Sequence, residues 1–245
     1  MTMLAKMTWL ELKLFLREPL TVLFALVLPL LILFVMGGVF GNQVEADIYR
    51  GVGAMNYYVP AYIALVAASV GLISLPTHMA SNRELGVLKR YRASSMPAWV
   101  VVGSQIAVTF LISMVSAAIL VSVALPVYDV PGPESVPLVF AGFALVALAF
   151  SALGVLLGAV LPSSRAAQAL GVMLWFLMLM VGGAGPPPEV LTGAMGVVGD
   201  LTPLHHAIRA LQDGWLNLDP GNAWPIVAGL TLVSATAAIY FFRWE

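Results

Sequence analysis

Cysteine is absent from the 245 residues, which excludes disulfides, thiolate zinc sites and cysteine nucleophiles. Charged residues are also scarce, at 9% of the chain against roughly 25% in a soluble globular domain. Eleven Lys and Arg stand against twelve Asp and Glu, so the chain lacks the basic excess that a nucleic-acid partner requires. Hydrophobic residues instead make up 61% of the chain, more apolar surface than a soluble fold covers.

Motifs for chemistry are missing as well. The three lysines follow Ala5, Leu12 and Leu88, whereas a phosphate-loop ATPase needs glycine before its lysine. His205 and His206 are adjacent rather than four residues apart, so they are poorly placed to share one metal ion. No Gly-x-Ser-x-Gly nucleophile elbow occurs. We predict no catalytic site, no metal site and no cofactor bound by this chain.

Six intervals without charged residues are long enough to cross hydrocarbon, which takes about 20 residues of helix. The predicted spans lie near 20–40, 57–78, 98–125, 136–160, 167–184 and 222–242. Proton-coupled transporters usually carry Asp, Glu, Lys or Arg inside the membrane, and these spans have none of the four. The sequence therefore predicts an all-α integral membrane protein, one transmembrane domain over 1–245, whose energy comes from elsewhere.

Basic residues are segregated between the two sides of these spans. One side receives nine of them: Lys6, Lys13, Arg17, Arg83, Lys89, Arg90, Arg92, Arg165 and Arg243. The other side receives only Arg50 and Arg209. The positive-inside rule then predicts that both termini are cytoplasmic.

Residues 1–18 have the pattern of an amphipathic helix lying in the membrane interface, with lipid as its partner. Its lysines and Arg17 fall within about 40° of each other, with Leu4, Leu12, Phe15 and Leu16 on the opposite arc. The residues assigned to this interfacial helix are Lys6, Lys13, Arg17, Glu18 and Pro19. A cytoplasmic extension of the first span is the alternative.

The loop 82–97 is the only substantial loop on the basic side. Interpreted as one helix, it places Glu84, Val87, Leu88 and Tyr91 on a single arc, with basic residues on both flanks. An acid within an apolar arc is expected to contact a protein rather than lipid. Alternatively, the basic residues only enforce topology and contact anionic lipid.

The segment 186–221 on the other side contains two helical stretches, 189–198 and 203–216, separated by 199–202. Each is too short to cross about 30 Å of hydrocarbon. A re-entrant helical hairpin before the last span explains them, and an amphipathic cap on the surface is an equal alternative. If the hairpin forms a gate, its residues are Pro186, Pro187, Thr202, Pro203, His205 and Arg209.

The third span carries a polar stripe within about 80° of the helical wheel, formed by Gln105, Thr109, Ser113 and Ser116. Helix packing through small polar side chains is the default explanation, and the lining of a substrate path is the alternative. On the fourth span, Ala147, Ser151, Gly154 and Gly158 indicate close packing.

Three segments together resemble the permease subunits of type-2 ABC exporters, in the daunorubicin-resistance-like branch. They are LFLREPLTVLFALVLPLLILFVMGG near the N terminus, NRELGVLKRYRASSMPAW in the loop 82–97, and TPLHHAIRALQDGW near the end; the terminal FFRWE also fits. The loop holds the Arg-Glu-x-Gly-x-Leu pattern at Glu84 and Gly86. The pair His205-His206 departs from the family's usual Thr-Tyr.

The resemblance implies six spans, an amphipathic connecting helix and a re-entrant external hairpin, in the membrane of a bacterial cell. It also implies two such chains, expected as a homodimer, docked on two cytoplasmic ATPase subunits that bind ATP and Mg²⁺. The coupling residues would be Arg83, Glu84, Leu85, Gly86, Leu88, Lys89, Arg90, Tyr91 and Arg92.

The expected function is export of a hydrophobic or amphipathic small molecule, such as an antibiotic. Export of a lipid or polysaccharide, and a membrane scaffold without transport, are the alternatives.

Overall fold

The computed structural model describes residues 3–15, 17, 19–44 and 48–241, without the side chains of residues 20 and 21. Within these ranges the chain forms helices and no strand, and its only β contact is an isolated bridge between Val44 and Gly53. The all-α fold class is therefore confirmed.

Twelve α-helices follow one another in this described part. They are α1 (Met3–Phe15), α2 (Pro19–Val22), α3 (Leu28–Phe40), α4 (Ala54–Ser69), α5 (Leu75–Glu84), α6 (Val87–Ala93), α7 (Ala98–Tyr128), α8 (Val136–Val160), α9 (Ser164–Val181), α10 (Ala194–Leu201), α11 (Pro203–Leu216) and α12 (Ala223–Phe241). Wider π-helical turns at Leu23–Val27 and Val70–Ser74 join α2 to α3 and α4 to α5.

Six helical segments of the described chain are long and apolar enough to cross a membrane, which confirms the predicted number. They are Leu23–Phe40, Ala54–Glu84, Ala98–Tyr128, Val136–Val160, Ser164–Val181 and Ala223–Phe241. The second and third contain 31 residues each, longer than predicted. At 1.5 Å per residue they measure about 46 Å, so their ends extend beyond the hydrocarbon.

The second span lies at the centre of the bundle, and every residue of its most apolar window is buried. It packs against the first, third, fourth and fifth spans and against α11. Pro29 and Pro76 each lie two residues after a π-helical turn. Because proline cannot donate a helical hydrogen bond and clashes with the preceding turn, these wider turns accommodate it.

The loops fall into two groups because six spans alternate in direction. We call the side of α1, 85–97 and 161–163 the α1 side, and that of 41–53, 129–135 and 182–222 the far side. On the far side, α11 packs into the bundle against α4, α8 and α12, with most of its residues buried. Its bounds match the predicted 203–216.

The preceding short helix differs from its prediction. A 3₁₀ turn occupies Pro188–Val190 and α10 covers Ala194–Leu201, so 199–201 are helical rather than a break. Thr202 alone separates the two helices. Its hydroxyl accepts a hydrogen bond from the His205 backbone N–H (3.4 Å), so Thr202 is the N-cap of α11.

Helix α1 is separate from the first span and packs along α7. Lys6 and Lys13 are exposed, as are Trp9 and Leu10, which suits a helix at a membrane interface. Its buried side differs from the predicted arc, because an acid lies within it: Met7, Glu11 and Phe15. Arg17 is an exposed turn residue and Pro19 begins α2, whereas Glu18 lies outside the described residues.

Candidate functional site

The loop 82–97 is not one continuous helix. The second span ends at Glu84, and α6 starts again at Val87. Between them Gly86 has φ +68°, a left-handed conformation that glycine adopts without the steric cost of a side chain. The predicted arc joining Glu84 to Tyr91 is therefore wrong, since the chain changes direction at Gly86.

Arg83 ties the end of the second span to the end of the fourth. Its Nη1 donates hydrogen bonds to the backbone carbonyls of Gly158 (2.9 Å) and Ala159 (3.1 Å), and its Nη2 donates to that of Leu161. Gly158 and Ala159 belong to the last turn of α8 and Leu161 directly follows it, where no further helical N–H remains to pair with these carbonyls. A cation is also favoured at this negative end of the helix.

Glu84 makes the corresponding link to the fifth span. Its Oε2 accepts a hydrogen bond of 2.7 Å from the hydroxyl of Ser164, the first residue of α9. The two charged residues at the end of the second span thus contact neighbouring spans. Leu85, next in the chain, is 69% exposed.

The other predicted coupling residues lie on or beside α6. Leu88 is buried and Tyr91 is half-buried. The basic residues Lys89, Arg90 and Arg92 are exposed on the α1 side. The segment therefore presents one exposed leucine and three cations beside two residues anchored to the bundle.

A buried acid lies where α1, α5 and α6 meet. The Oε2 atom of Glu11 is 2.7 Å from Nε2 of His78, and both side chains are buried. The ring of Phe15 packs on the His78 imidazole at 5.1 Å. Burial raises the pKa of Tyr91, and the nearby charge of Glu11 raises it further, which places α6 beside this acid.

Sequence reasoning missed this contact. The partner of His78 comes from a helix 67 residues earlier, and nothing in the span of His78 itself indicates it. The available signal was the i, i+4, i+8 stripe of Met7, Glu11 and Phe15, in which an acid occupies an otherwise apolar face.

The polar stripe of the third span faces protein. Gln105, Thr109 and Ser113 are at most 1% exposed, and Ser116 is 6% exposed. In the described part of the chain, the Gln105 Oε1, Thr109 Oγ1 and Ser113 Oγ atoms have no hydrogen-bond partner. The stripe is therefore enclosed within one subunit.

The six residues predicted to form a gate are dispersed on the far side. Pro186 and Pro187 lie in the turn after α9, and Thr202 and Pro203 start α11. Only His205 and Arg209 reach a common cavity, of about 220 Å³.

His205 is electrically neutral near pH 7. Burial lowers its pKa to about 4, helped by the neighbouring His206 and the positive charge of Arg209. Burial also lowers the pKa of His206.

A second cavity opens between the third, fourth and sixth spans at their α1-side ends. It measures about 500 Å³ and has an apolar lining: Ala98, Trp99, Val102, Gly103, Ile106, Ala152, Val155, Ala235, Ala238 and Ile239. Helix α1 lies close to this cavity, because a methyl group added at Gly103 would be 3.6 Å from the side chain of Leu4. The cavity can hold a drug-sized apolar molecule, for which typical pockets measure about 300–1,000 Å³.

Comparison with known protein families finds one family that matches the chain. The family model described as ABC-2 type transporter matches residues 3–216, which include α1, the first five spans and α11. No curated protein matches the chain. The match agrees with the resemblance found in the sequence at the level of the family, but it does not distinguish the daunorubicin-resistance-like branch.

Proposed function

Because the chain belongs to the ABC-2 type transporter family, we propose that it is the permease subunit of an ATP-driven exporter whose ATPase is a separate protein. The lysines of this chain lack the glycine that a phosphate loop requires. ATP and Mg²⁺ are therefore bound by the partner. In this proposal two permease chains, copies of this one, dock on two ATPase subunits.

The arrangement around Arg83 and Glu84 is the observation that carries the proposal. The segment from Leu85 to Arg92, with four exposed side chains, directly follows the second span in the chain. Arg83 joins the end of that span to the fourth span, and Glu84 joins it to the fifth. Glu11 adds α1 to the same assembly. When ATP binding closes the ATPase dimer, a push on this segment moves the ends of three spans together.

The distribution of charge indicates how the protein is oriented in the membrane. Among the described residues, eight Lys and Arg lie on the α1 side against two on the far side. The α1 side is then cytoplasmic, as are both termini, and the far side faces outward across the bacterial cell membrane. The exposed cations of α6 thus face the compartment that contains ATP.

The cargo in this proposal is a hydrophobic or amphipathic small molecule, such as an antibiotic or another natural product. The apolar cavity of about 500 Å³ opens among spans at the cytoplasmic end, where such a molecule would enter from the inner leaflet. Asp, Glu, Lys and Arg occur in the six spans only at the ends of the second and fifth, so their interiors lack the carboxylates that proton coupling usually uses.

Copurification tests the proposal. The tagged chain is solubilised from its native host, and we expect an ATPase subunit in stoichiometric amount. Leu85→Asp should remove that subunit, because the exposed leucine would become a charge at the contact. Leu201→Asp is the matched control, since Leu201 is 76% exposed on the far side.

Two results would contradict the proposal: wild-type chain without any ATPase, or equal ATPase recovery with both variants. The first would favour a scaffold without transport. A copurifying enzyme of lipid or polysaccharide synthesis would instead favour the alternative cargo.

A further inference from the structure

The far side contains a small polar cavity that the proposed transport cycle does not yet use. It lies between the start of the second span, the turn after the fifth and the inner face of α11. Its polar lining includes Arg50, Tyr57, Glu189, His205, Arg209 and Gln212. At about 220 Å³ it is smaller than a typical pocket for a drug-sized molecule and large enough for a headgroup.

The floor of this cavity is built from buried, hydrogen-bonded side chains. Tyr57 is 2% exposed and Gln212 is 1% exposed. The Gln212 amide donates to the Tyr57 carbonyl at 3.3 Å, which joins α11 to the second span. Tyr58 donates to the Gly185 carbonyl at 2.7 Å and holds the turn after the fifth span on the same helix. The cavity is therefore preformed.

The two acids that border the cavity are already engaged or face solvent. Glu189 accepts a hydrogen bond from the Tyr57 hydroxyl at 3.1 Å. The side chain of Asp200 is 72% exposed, and its carboxylate lies 3.7 Å from His205. Neither acid forms an ion pair with an arginine among the residues that the structure describes.

The two arginines keep unused donors. Arg50 makes one long contact, 3.5 Å from its Nη2 to the Asp219 carbonyl. The half-buried Arg209 has no hydrogen-bond partner within the described ranges. Each guanidinium has five N–H donors in a planar fork that matches the oxygens of carboxylate and phosphate. His205 adds a neutral imidazole rather than a third cation.

We propose that this cavity is a binding site for an anionic oxygen group, a phosphate or a carboxylate, with Arg50 and Arg209 as its ligands. This inference rests on the proposed function. The site would receive the anionic headgroup of an amphiphile as that molecule reaches the outer side of the membrane. The apolar tail stays in the membrane, since the cavity has room for the headgroup alone.

Binding of dodecyl phosphate tests this site. The full-length chain with its copurified ATPase is placed in phosphatidylcholine nanodiscs and titrated with dodecyl phosphate below its micelle concentration. Dodecyltrimethylammonium is the probe of opposite charge. We expect saturable binding of the phosphate, weakened roughly tenfold or more by Arg209→Gln because a charge-assisted hydrogen bond is lost.

Arg50→Gln should weaken the same binding, and it lies on a different segment, so misfolding of α11 would not explain both losses. Arg165→Gln is the matched control, since Arg165 is exposed near the opposite end of the fifth span. Competition by inorganic phosphate would show that the anion alone suffices. Competition only by phosphatidylglycerol in the nanodisc would identify a lipid headgroup as the source.

Equal affinity for the two dodecyl probes would overturn the proposal, as would unchanged affinity in both cavity variants. ATPase recovery is measured on the same samples. A wild-type chain that retains the ATPase but shows no selective binding of dodecyl phosphate contradicts this inference alone, whereas absence of the ATPase from the wild type contradicts the proposed function.

Discussion

The Oε2 atom of Glu11 lies 2.7 Å from Nε2 of His78, and this contact joins α1 to the second span inside the protein. The other carboxylate oxygen of Glu11 is buried without a hydrogen-bond partner among the described residues. Burying a carboxylate is costly unless an opposite charge or a donor compensates it. The contact with His78 therefore compensates the burial of Glu11 and adds to the packing of α1 along α7.

The two partners should differ in what their loss costs. His78→Leu leaves a buried carboxylate without its donor, which we expect to lower the free energy of unfolding by about 3–5 kcal/mol. Glu11→Leu leaves an imidazole that can remain neutral, so the loss should be nearer 1–3 kcal/mol. Thermal unfolding in nanodiscs measures both, with the exposed Leu10→Ala as control. The reverse order would contradict this account of the contact.

Reversing the charge of Glu84 should uncouple ATP hydrolysis from export. Glu84→Lys replaces an acceptor with a cation at the start of α9, where the Ser164 hydroxyl and the positive end of the helix both favour an acid. We expect ATP hydrolysis to persist while export falls severalfold.

Ser164→Ala provides the matched comparison for Glu84→Lys, because it removes the same hydrogen bond without changing charge. It should reduce export less than the charge reversal. Unchanged export in Glu84→Lys would remove this residue from the coupling mechanism.

Close packing against the second span predicts the effect of two glycine substitutions. A methyl group at Gly154 would overlap the carbonyl oxygen of Gly71, and one at Gly171 would overlap that of Leu72. Either Gly→Ala change should cost about 1–3 kcal/mol of stability, as overpacking does. Gly229→Ala is the control, because nothing lies within 4 Å of its added methyl.

Helix propensity favours alanine over glycine by up to about 1 kcal/mol, so Gly229→Ala should leave the melting temperature unchanged or raise it. Equal melting temperatures for all three variants would show that the spans are not packed as closely as described.

Acid should destabilise the far side through His205. Its pKa is about 4 in the folded chain against the ordinary histidine value of 6.5, with Asp200, His206, Arg209 and Arg50 as the charged or titratable neighbours. Between these values the unfolded chain binds a proton that the folded chain does not. Stability from this group is thus complete above pH 6.5 and declines as the pH falls towards 4.

His205→Gln removes that titration, so the melting temperature should fall less between about pH 7.5 and pH 5 than in the wild type. The same fall in both proteins would show that folding does not lower the pKa of His205.

The spans were predictable from sequence because hydrocarbon imposes a local requirement, about 20 residues without charge. The interval that holds α7 shows this, since its apolar run alone locates the third span. The second span's central position was not predictable, because which helix is surrounded depends on the contacts of all the others. The π-helical turns before Pro29 and Pro76 depend on how the chain accommodates each proline, which an apolar run does not indicate.

The sequence predicted which segment forms the candidate site, but not the contacts that this segment makes. The loop 82–97 was identified from its charge and its resemblance to a known pattern. Its anchoring through Arg83 was not, because the carbonyl partners of Arg83 lie 75 or more residues away and carry no side-chain signal. Similarly, Arg50 and Arg209 look isolated in sequence and reach one cavity only through folding.

ATPase activity of the copurified complex in vesicles is the most direct test of the central claim, that this chain couples a separate ATPase to export. We predict ATP hydrolysis that changes severalfold when hydrophobic drugs are added and that loses this response in Glu84→Lys. A rate of ATP hydrolysis that changes with none of the hydrophobic compounds, in the wild type as in the variant, would contradict the claim.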